Sequence, residues 1–224
     1  LRAELPRWRS VLVVVAHPDD ETFGLGAVVN QMIERGAAVH VLCFSHGESS
    51  TLGDTSALFA LREEELREAS ARLGVRSVTL LTYPDGHLDA LPAGELSRQV
   101  ALQVARVRPD GLLVFDDTGV TAHPDHRAAT AAALLACSDL PVLAWALPSV
   151  IADRLRQETG QPFVGRLPGE LDLCLRVARA PQRRAAFAHA SQLSPTAVFW
   201  RRIQLQGECE HLRWLRRPSA GQRD

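Results

Sequence analysis

The chain has 224 residues, 25 of them basic and 26 acidic for a formal net charge of −1, and 46% of it is apolar. That supports one large domain with a substantial core and lacks the positive excess of a protein that wraps duplex DNA. No apolar run approaches the roughly 18 residues of a membrane span, and the run near the N-terminus is too short, and too soon followed by acids, for the core of a signal peptide.

In chain order, VLVVVA (11–16) reads as a buried strand. A helix candidate at 24–35 follows, then a strand AVHVLCFS (38–45), a helix at 58–73, and a strand SVTLLTY (77–83). A helix at 94–107, a strand GLLVFDD (111–117), a helix at 126–137 and a strand PVLAWAL (141–147) continue the alternation. Gly36 and Gly74 stand where a left-handed C-terminal cap belongs, and Pro109 and Gly111 break the third helix before the next strand. The alternation predicts an α/β fold, a Rossmann-like, mainly parallel sheet with helices on both faces. The last third is less regular. LDLCLRVAR (171–179) reads as a further strand, PQRRAAFAHASQL (181–193) as a helix opened by proline, and 216–224 as a mobile tail after a single domain of residues 1–215. Cys43, Cys137, Cys174 and Cys209 lie far apart without CxxC spacing, so buried thiols in a reducing compartment, the cytoplasm, are expected.

The first strand runs straight into His17, Asp19, Asp20 and Glu21, three carboxylates and an imidazole that gain nothing for a core. Open parallel sheets bind ligands at the carboxyl ends of their strands. A second polar cluster, His123, Asp125 and His126, directly follows the fourth strand, so both clusters are expected on one edge of the sheet. Two histidines and a carboxylate form a familiar catalytic zinc set with a position left for water. A divalent cation would also keep adjacent carboxylates ionised. A helix cap at Asp19 or Asp20 is the plainer reading, although one acid would suffice for it. The GLG at 24–26 completes no dinucleotide fingerprint, because Val29 stands where Gly or Ala is needed and the acids would repel phosphates. Gly24 and Gly26 are expected instead to let the helix pack closely on the sheet.

AHPDDE (16–21) together with AHPDH (122–126), each after a predicted strand, resembles the LmbE-like, or PIG-L, family of zinc-dependent N-deacetylases. Further matches are RxxE at Arg62 and Glu65, LG at 73–74, YPDG at 83–86 and HxSQ at His189, Ser191 and Gln192, with a weaker one at 207–214. The resemblance implies that His17, Asp20 and His126 bind zinc and that Asp19 is the general base for the metal-bound water. It implies that His123 stabilises the oxyanion or protonates the leaving amine, with Asp125 orienting its ring. A cationic His123 would suit that role. Iron or cobalt can replace zinc on nitrogen and oxygen ligands.

Arg62, Asp85 and His189 are the candidate substrate contacts, although Arg62 can equally pair with Glu65. Mycothiol-type members of the family carry a tyrosine two residues before the HPDH histidine, where Thr121 stands here, which disfavours a mycothiol precursor as substrate. Asp116 and Asp117 either hold sugar hydroxyls or cap their loop. His40 reads as a packed strand side chain, while His46 and His87 either line the pocket or face solvent.

These residues predict a hydrolase that removes the acetyl group from a small N-acetylated amino sugar. A broader amidase acting on a non-sugar amide is the alternative within the same chemistry. A metal- or sugar-binding module without catalysis is disfavoured because every catalytic role is filled. The sequence does not name the substrate: N-acetylglucosamine on inositol, malate, a chitooligosaccharide or a natural product are all left open. Specificity is expected in segments 46–57, 84–94 and 148–170, which carry no readable motif.

Overall fold

The computed structural model describes residues 3–50, 55–92 and 94–218. Strands β1 (Ser10–Val15), β2 (Ala38–Cys43), β3 (Ser77–Leu80), β4 (Gly111–Phe115) and β5 (Val142–Pro148) run parallel. Beyond them come the two-residue β6 (Gly165–Arg166), β7 (Leu173–Arg176) and β8 (Cys209–Arg216). The sheet order is β3-β2-β1-β4-β5-β8-β7, with β6 paired to β5 and with β8 antiparallel to both its neighbours. The chain is thus a single α/β domain around a mostly parallel sheet, as the alternating pattern predicts.

β1 shows why the parallel strands are apolar throughout. Val11, Val13 and Val15 enter one core and Leu12 and Val14 the other, so neither side of the strand meets water. Helices α2 (Gly26–Glu34), α3 (Thr55–Leu73) and α7 (Arg179–Ala186) cover the first face through Val28, Met32, Leu66 and Ala185. Helices α4 (Glu95–Val107) and α5 (Pro124–Ala136) cover the second through Leu96, Val100, Ala129 and Ala133. Among the described residues, no helix is long and apolar enough to cross a membrane.

Several boundaries differ from those the pattern predicts, mostly towards the carboxyl edge. The strands end at Val15, Cys43, Leu80 and Phe115, and the segments beyond them build the loops of the carboxyl edge. The helix expected at 24–35 is two pieces, the one-turn α1 (Asp20–Phe23) and α2. A Cβ on Gly24 would lie 2.2 Å from the Phe115 ring, and one on Gly26 would lie 3.2 Å from Gln182, so both glycines do permit close approach. Gly36 and Gly74 take the expected left-handed conformation, with φ of 92° and 88°.

The C-terminal third departs furthest. The helix expected at 181–193 is the shorter α7, and α6 (Ser149–Thr159), α8 (Val198–Gln206) and β8 carry no clear periodicity in the sequence. β8 hides its alternation by turning a glutamate, Glu210, to the interior at 0% exposure. It also continues into the segment read as a tail: Arg216 ends the strand and donates to the carbonyls of Leu134 at 2.6 Å and Leu140 at 3.2 Å. Residues 219–224 of that tail lie outside the described residues.

Glu210 organises a buried polar network. Its carboxylate accepts from Trp145 Nε1 at 2.6 Å, from Gln206 Nε2 at 2.9 Å and from Arg179, with the Arg202 guanidinium 3.5 Å away. Removing the acid would leave two buried cations without their counter-charge, which typically costs about 3–5 kcal/mol. Glu210→Ala should therefore lower the unfolding free energy by roughly that amount in denaturant titration, whereas a loss below about 1 kcal/mol would mean that the arginines find other partners.

Candidate active site

Strands β2 and β3 lie on one side of β1, and β4 and β5 on the other. The boundary between β1 and β4 is therefore the switch point of the sheet, where the crossover helices leave to opposite faces and a crevice opens at the carboxyl ends. His17, Asp19 and Asp20 follow β1, and His123, Asp125 and His126 follow β4, so adjacency of these two strands brings the clusters together.

The loops that carry them are strained. Asp19 has φ 113°, Val120 φ 62° and Ala122 φ 56°, left-handed values that non-glycine residues hold only at a cost of roughly 1–3 kcal/mol each. Asp19 occupies the N-cap position of α1, but its side chain makes no capping bond, so helix capping does not explain its presence. Asp20 Oδ2 accepts the amides of Ala16 at 3.2 Å and His17 at 2.9 Å, while Oδ1 faces His126 Nε2 at 3.1 Å. His126 Nδ1 donates to the Gly119 carbonyl at 3.1 Å, which fixes the ring with Nε2 towards Asp20.

Two sets of donor atoms result, His17, Asp20 and His126, and His17, His123 and Asp125, each within 4.8 Å of one another. Three carboxylates converge on His17: Asp85 at 2.9 Å and Asp125 at 3.1 Å from Nε2, and Asp20 at 3.6 Å from Nδ1. Burial alone would lower the His17 pKa, but the bonds to Asp125 and Asp85 and the Asp20 charge prevail and push it up to about 10. Burial would raise the pKa of Asp20, but His126 and His17 hold it down to about 2. Asp19, by contrast, is pushed up to about 7 by burial and by the neighbouring Asp20. The cavity therefore demands positive charge. A set of two imidazoles and a carboxylate fits a divalent cation in that role.

The relation between Asp125 and His123 differs from expectation. The Asp125 carboxylate does not orient the His123 ring; it accepts the amides of Gly86 at 2.7 Å and Leu88 at 3.0 Å and binds His17. Among the described residues those amides of the 84–88 turn have no other partner, and leaving them unpaired would be costly. His123 is instead the N-cap of α5, its Nδ1 accepting the Asp125 amide at 3.2 Å, which leaves its proton on Nε2. Burial and the nearby His126 and His17 lower its pKa, which favours the neutral ring over the cationic one.

A cavity of about 390 Å³ opens over these groups, lined by His17, Pro18, Asp19, Gly47, Arg62, Asp85, His123, Ser191 and Gln192. Arg62 and Asp85 thus stand where substrate contacts were expected. Arg62 does not pair with Glu65: it donates to the Gly47 carbonyl, while Glu65 accepts Ser191 N at 2.7 Å and Oγ at 2.6 Å. His189 does not line the cavity. It is 0% exposed, and its Nε2 donates to Glu21 Oε1 at 2.8 Å. Asp116 and Asp117 brace their loop and neither lines this cavity: Asp116 binds Arg166 at 2.9 Å and Arg213 at 3.1 Å, and Asp117 binds the same two arginines.

His46 is buried against Phe59, His87 is exposed, and His40 bonds Ser77 Oγ at 2.7 Å. Of the segments expected to carry specificity, 46–57 and 84–94 contribute Gly47 and Asp85 to the cavity wall. No described residue of 148–170, much of it α6, lines it. Ser191 and Gln192 were legible only as letters of a motif, and Glu21 carried no assigned role.

A family model described as GlcNAc-PI de-N-acetylase, PIG-L, matches residues 12–137, more than half of the chain. The chain is 28% identical to a "Probable N-acetyl-alpha-D-glucosaminyl L-malate deacetylase 2" of Bacillus anthracis, over 93% of this chain and 92% of that one. It is 31% identical to a 1D-myo-inositol 2-acetamido-2-deoxy-alpha-D-glucopyranoside deacetylase of Nakamurella multipartita, over 84% of this chain and 82% of that one. Its fold is similar to that of GalB, the 4-carboxy-2-hydroxymuconate hydratase of Pseudomonas putida KT2440, with a TM-score of 0.70 and 19% identity over 95% of this chain and 98% of that one. The hydratase shares the fold alone, whereas the family match covers both histidine–aspartate clusters: the chain belongs to the PIG-L family of de-N-acetylases.

Proposed function

We propose that the chain is a zinc-dependent N-deacetylase that hydrolyses the acetamide of an N-acetylglucosamine-type conjugate. The observation that carries this reading is the convergence of His17, Asp20 and His126 from two distant loops, beside the cavity that His17 and Asp19 line. The two sequence relatives support the sugar: their names share a 2-acetamido glucosyl group and differ in its aglycone, malate or inositol. The fold by itself supports no choice of reaction. Four free thiols support a reducing compartment, the cytoplasm.

In this reading His17, Asp20 and His126 hold the zinc, and iron or cobalt can take the same ligands. Zinc, when bound, supplies a Lewis acid for the amide carbonyl and lowers the pKa of water within its reach. The Asp19 carboxylate takes a proton from the attacking water and returns it to the amine nitrogen as the C–N bond breaks. His123, its Nδ1 tied to the Asp125 amide, keeps the Nε2 proton for the carbonyl oxygen as negative charge develops there. Asp85 and Asp125 hold the His17 ring, and Arg62 and Asp85 on the cavity wall contact sugar hydroxyls.

Primary-amine release from a panel of N-acetylglucosaminides, lost on chelation and restored by zinc, is the expected behaviour. Release from simple acylated amines but from no sugar would replace the reading with a broader amidase. Asp19→Asn should keep zinc and lose roughly 10²–10⁴-fold in kcat, whereas His17→Ala should lose zinc and activity together. Equal metal loss in both variants would contradict the division of roles. Because Asp19 must be ionised to accept a proton, kcat/KM should fall as pH drops through its pKa. Burial and Asp20 raise that pKa and a bound cation lowers it again. A rate with no acid limb down to about pH 3, below the ordinary carboxylate range, would exclude a carboxylate base.

A further inference from the structure

The Pro18–Asp19 peptide is held at both of its polar atoms. Its carbonyl accepts Gln192 Nε2 at 2.6 Å, and its N–H donates to Glu21 Oε2 at 3.0 Å. Glu21 is itself fixed through its other oxygen, which accepts Thr22 Oγ1 at 2.5 Å and His189 Nε2 at 2.8 Å. Glu21 and His189 are both 0% exposed, so water does not compete for the bond between them. Both anchors come from one turn of the last third of the chain, where Gln192 N bonds back to the His189 carbonyl at 3.0 Å. That turn is locked in its own right by Glu65, which takes both the amide and the hydroxyl of Ser191. It lies outside the residues that match the family model.

We propose that His189, through Glu21, and Gln192, directly, are positioning residues that pin the Pro18–Asp19 peptide plane and thereby aim the Asp19 carboxylate. An aspartate with φ 113° does not hold that conformation by its own preference, so the surroundings must impose it. A peptide plane fixed at its oxygen and its hydrogen cannot rotate. With that plane set, the direction of the Asp19 Cα–Cβ bond follows from its φ, which confines where the carboxylate can reach. His189 is absent from the cavity wall and its hydrogen bond goes to Glu21, which separates its role from substrate contact. The same third of the chain holds the far end of the loop, where Gln182 Nε2 donates to the carbonyls of Thr22 at 3.0 Å and Phe23 at 3.1 Å.

The inference rests on Asp19 being the base, and its test has an arm that needs no turnover. In amide-resolved proton–nitrogen spectra, the Asp19 N–H should be shifted downfield and slow to exchange, as expected for a buried donor to a carboxylate. His189→Leu should abolish both features, and His189→Gln, which keeps a donor at a similar reach, should restore them. In the zinc-loaded enzyme, His189→Leu should lower kcat by roughly 10–100-fold with zinc content intact and KM within about twofold. Introduced beside Asp19→Asn, it should cause no further loss, since the effect passes through Asp19. Should His189→Leu fail to fold, Gln192→Leu frees the carbonyl end of the same peptide; it should lower kcat with zinc content intact and cause no further loss beside Asp19→Asn. An unaltered Asp19 amide, or an equal loss of rate beside Asp19→Asn, would overturn the inference. A wild type without turnover would overturn the deacetylase reading instead and leave the amide signal to decide the clamp.

Discussion

The carboxylates of Asp19, Asp20, Asp85 and Asp125 gather with the imidazoles of His17, His123 and His126 at and beneath one cavity, and keeping most of those acids ionised there constrains the rest of the molecule. Carboxylates so close together take up protons unless positive charge or hydrogen-bond donors hold them. The protein uses both. Asp125 draws on the amides of Gly86 and Leu88, Asp20 on those of Ala16 and His17, and Asp85 on that of Ser49. His17 takes the centre of the group, where its high pKa marks how strongly the cavity attracts a cation.

The fold supplies the place for this concentration of charge. Two parallel strands that diverge into helices on opposite faces leave a crevice with exposed amides, and the acids fill it. Strain gathers there too, at Asp19 on one loop and at Val120 and Ala122 on the other. Such backbone persists only where its surroundings over-determine it. The C-terminal third provides that support at a distance: Gln182, His189, Gln192 and Arg202 all bond to residues 18–23 or to their side chains. The buried pairing of Glu210 with Arg179 and Arg202 couples this clamp to the outer strands of the sheet.

Much of this was legible in the sequence, for identifiable reasons. Parallel strands buried on both faces read as uninterrupted apolar runs, and VLVVV needs no context to be recognised. Acids placed directly after such a run mark the carboxyl edge of the sheet. What stayed hidden depends on partners far away in sequence. Asp125 sits beside His123 in the chain but spends its carboxylate on the turn after β3. His189 resembles a site residue by its motif, yet its ring ends in a buried bond to a residue 168 positions earlier. The arginines that Asp116 and Asp117 pair with, Arg166 and Arg213, lie some 50 to 97 positions away. β8 broke the expected alternation because the acid at its buried position is paired only in three dimensions.

The central claim is that the loops after β1 and β4 form one cation site through His17, Asp20 and His126, although His17 also belongs to a second donor set with His123 and Asp125. The most direct test is an anomalous difference map at the zinc edge from crystals of the zinc-loaded protein. One peak per chain, within bonding distance of His17, Asp20 and His126, is the result expected. A peak held by His123 and Asp125, or none at the crevice, would contradict the account and leave Asp19 without an activated water to act on.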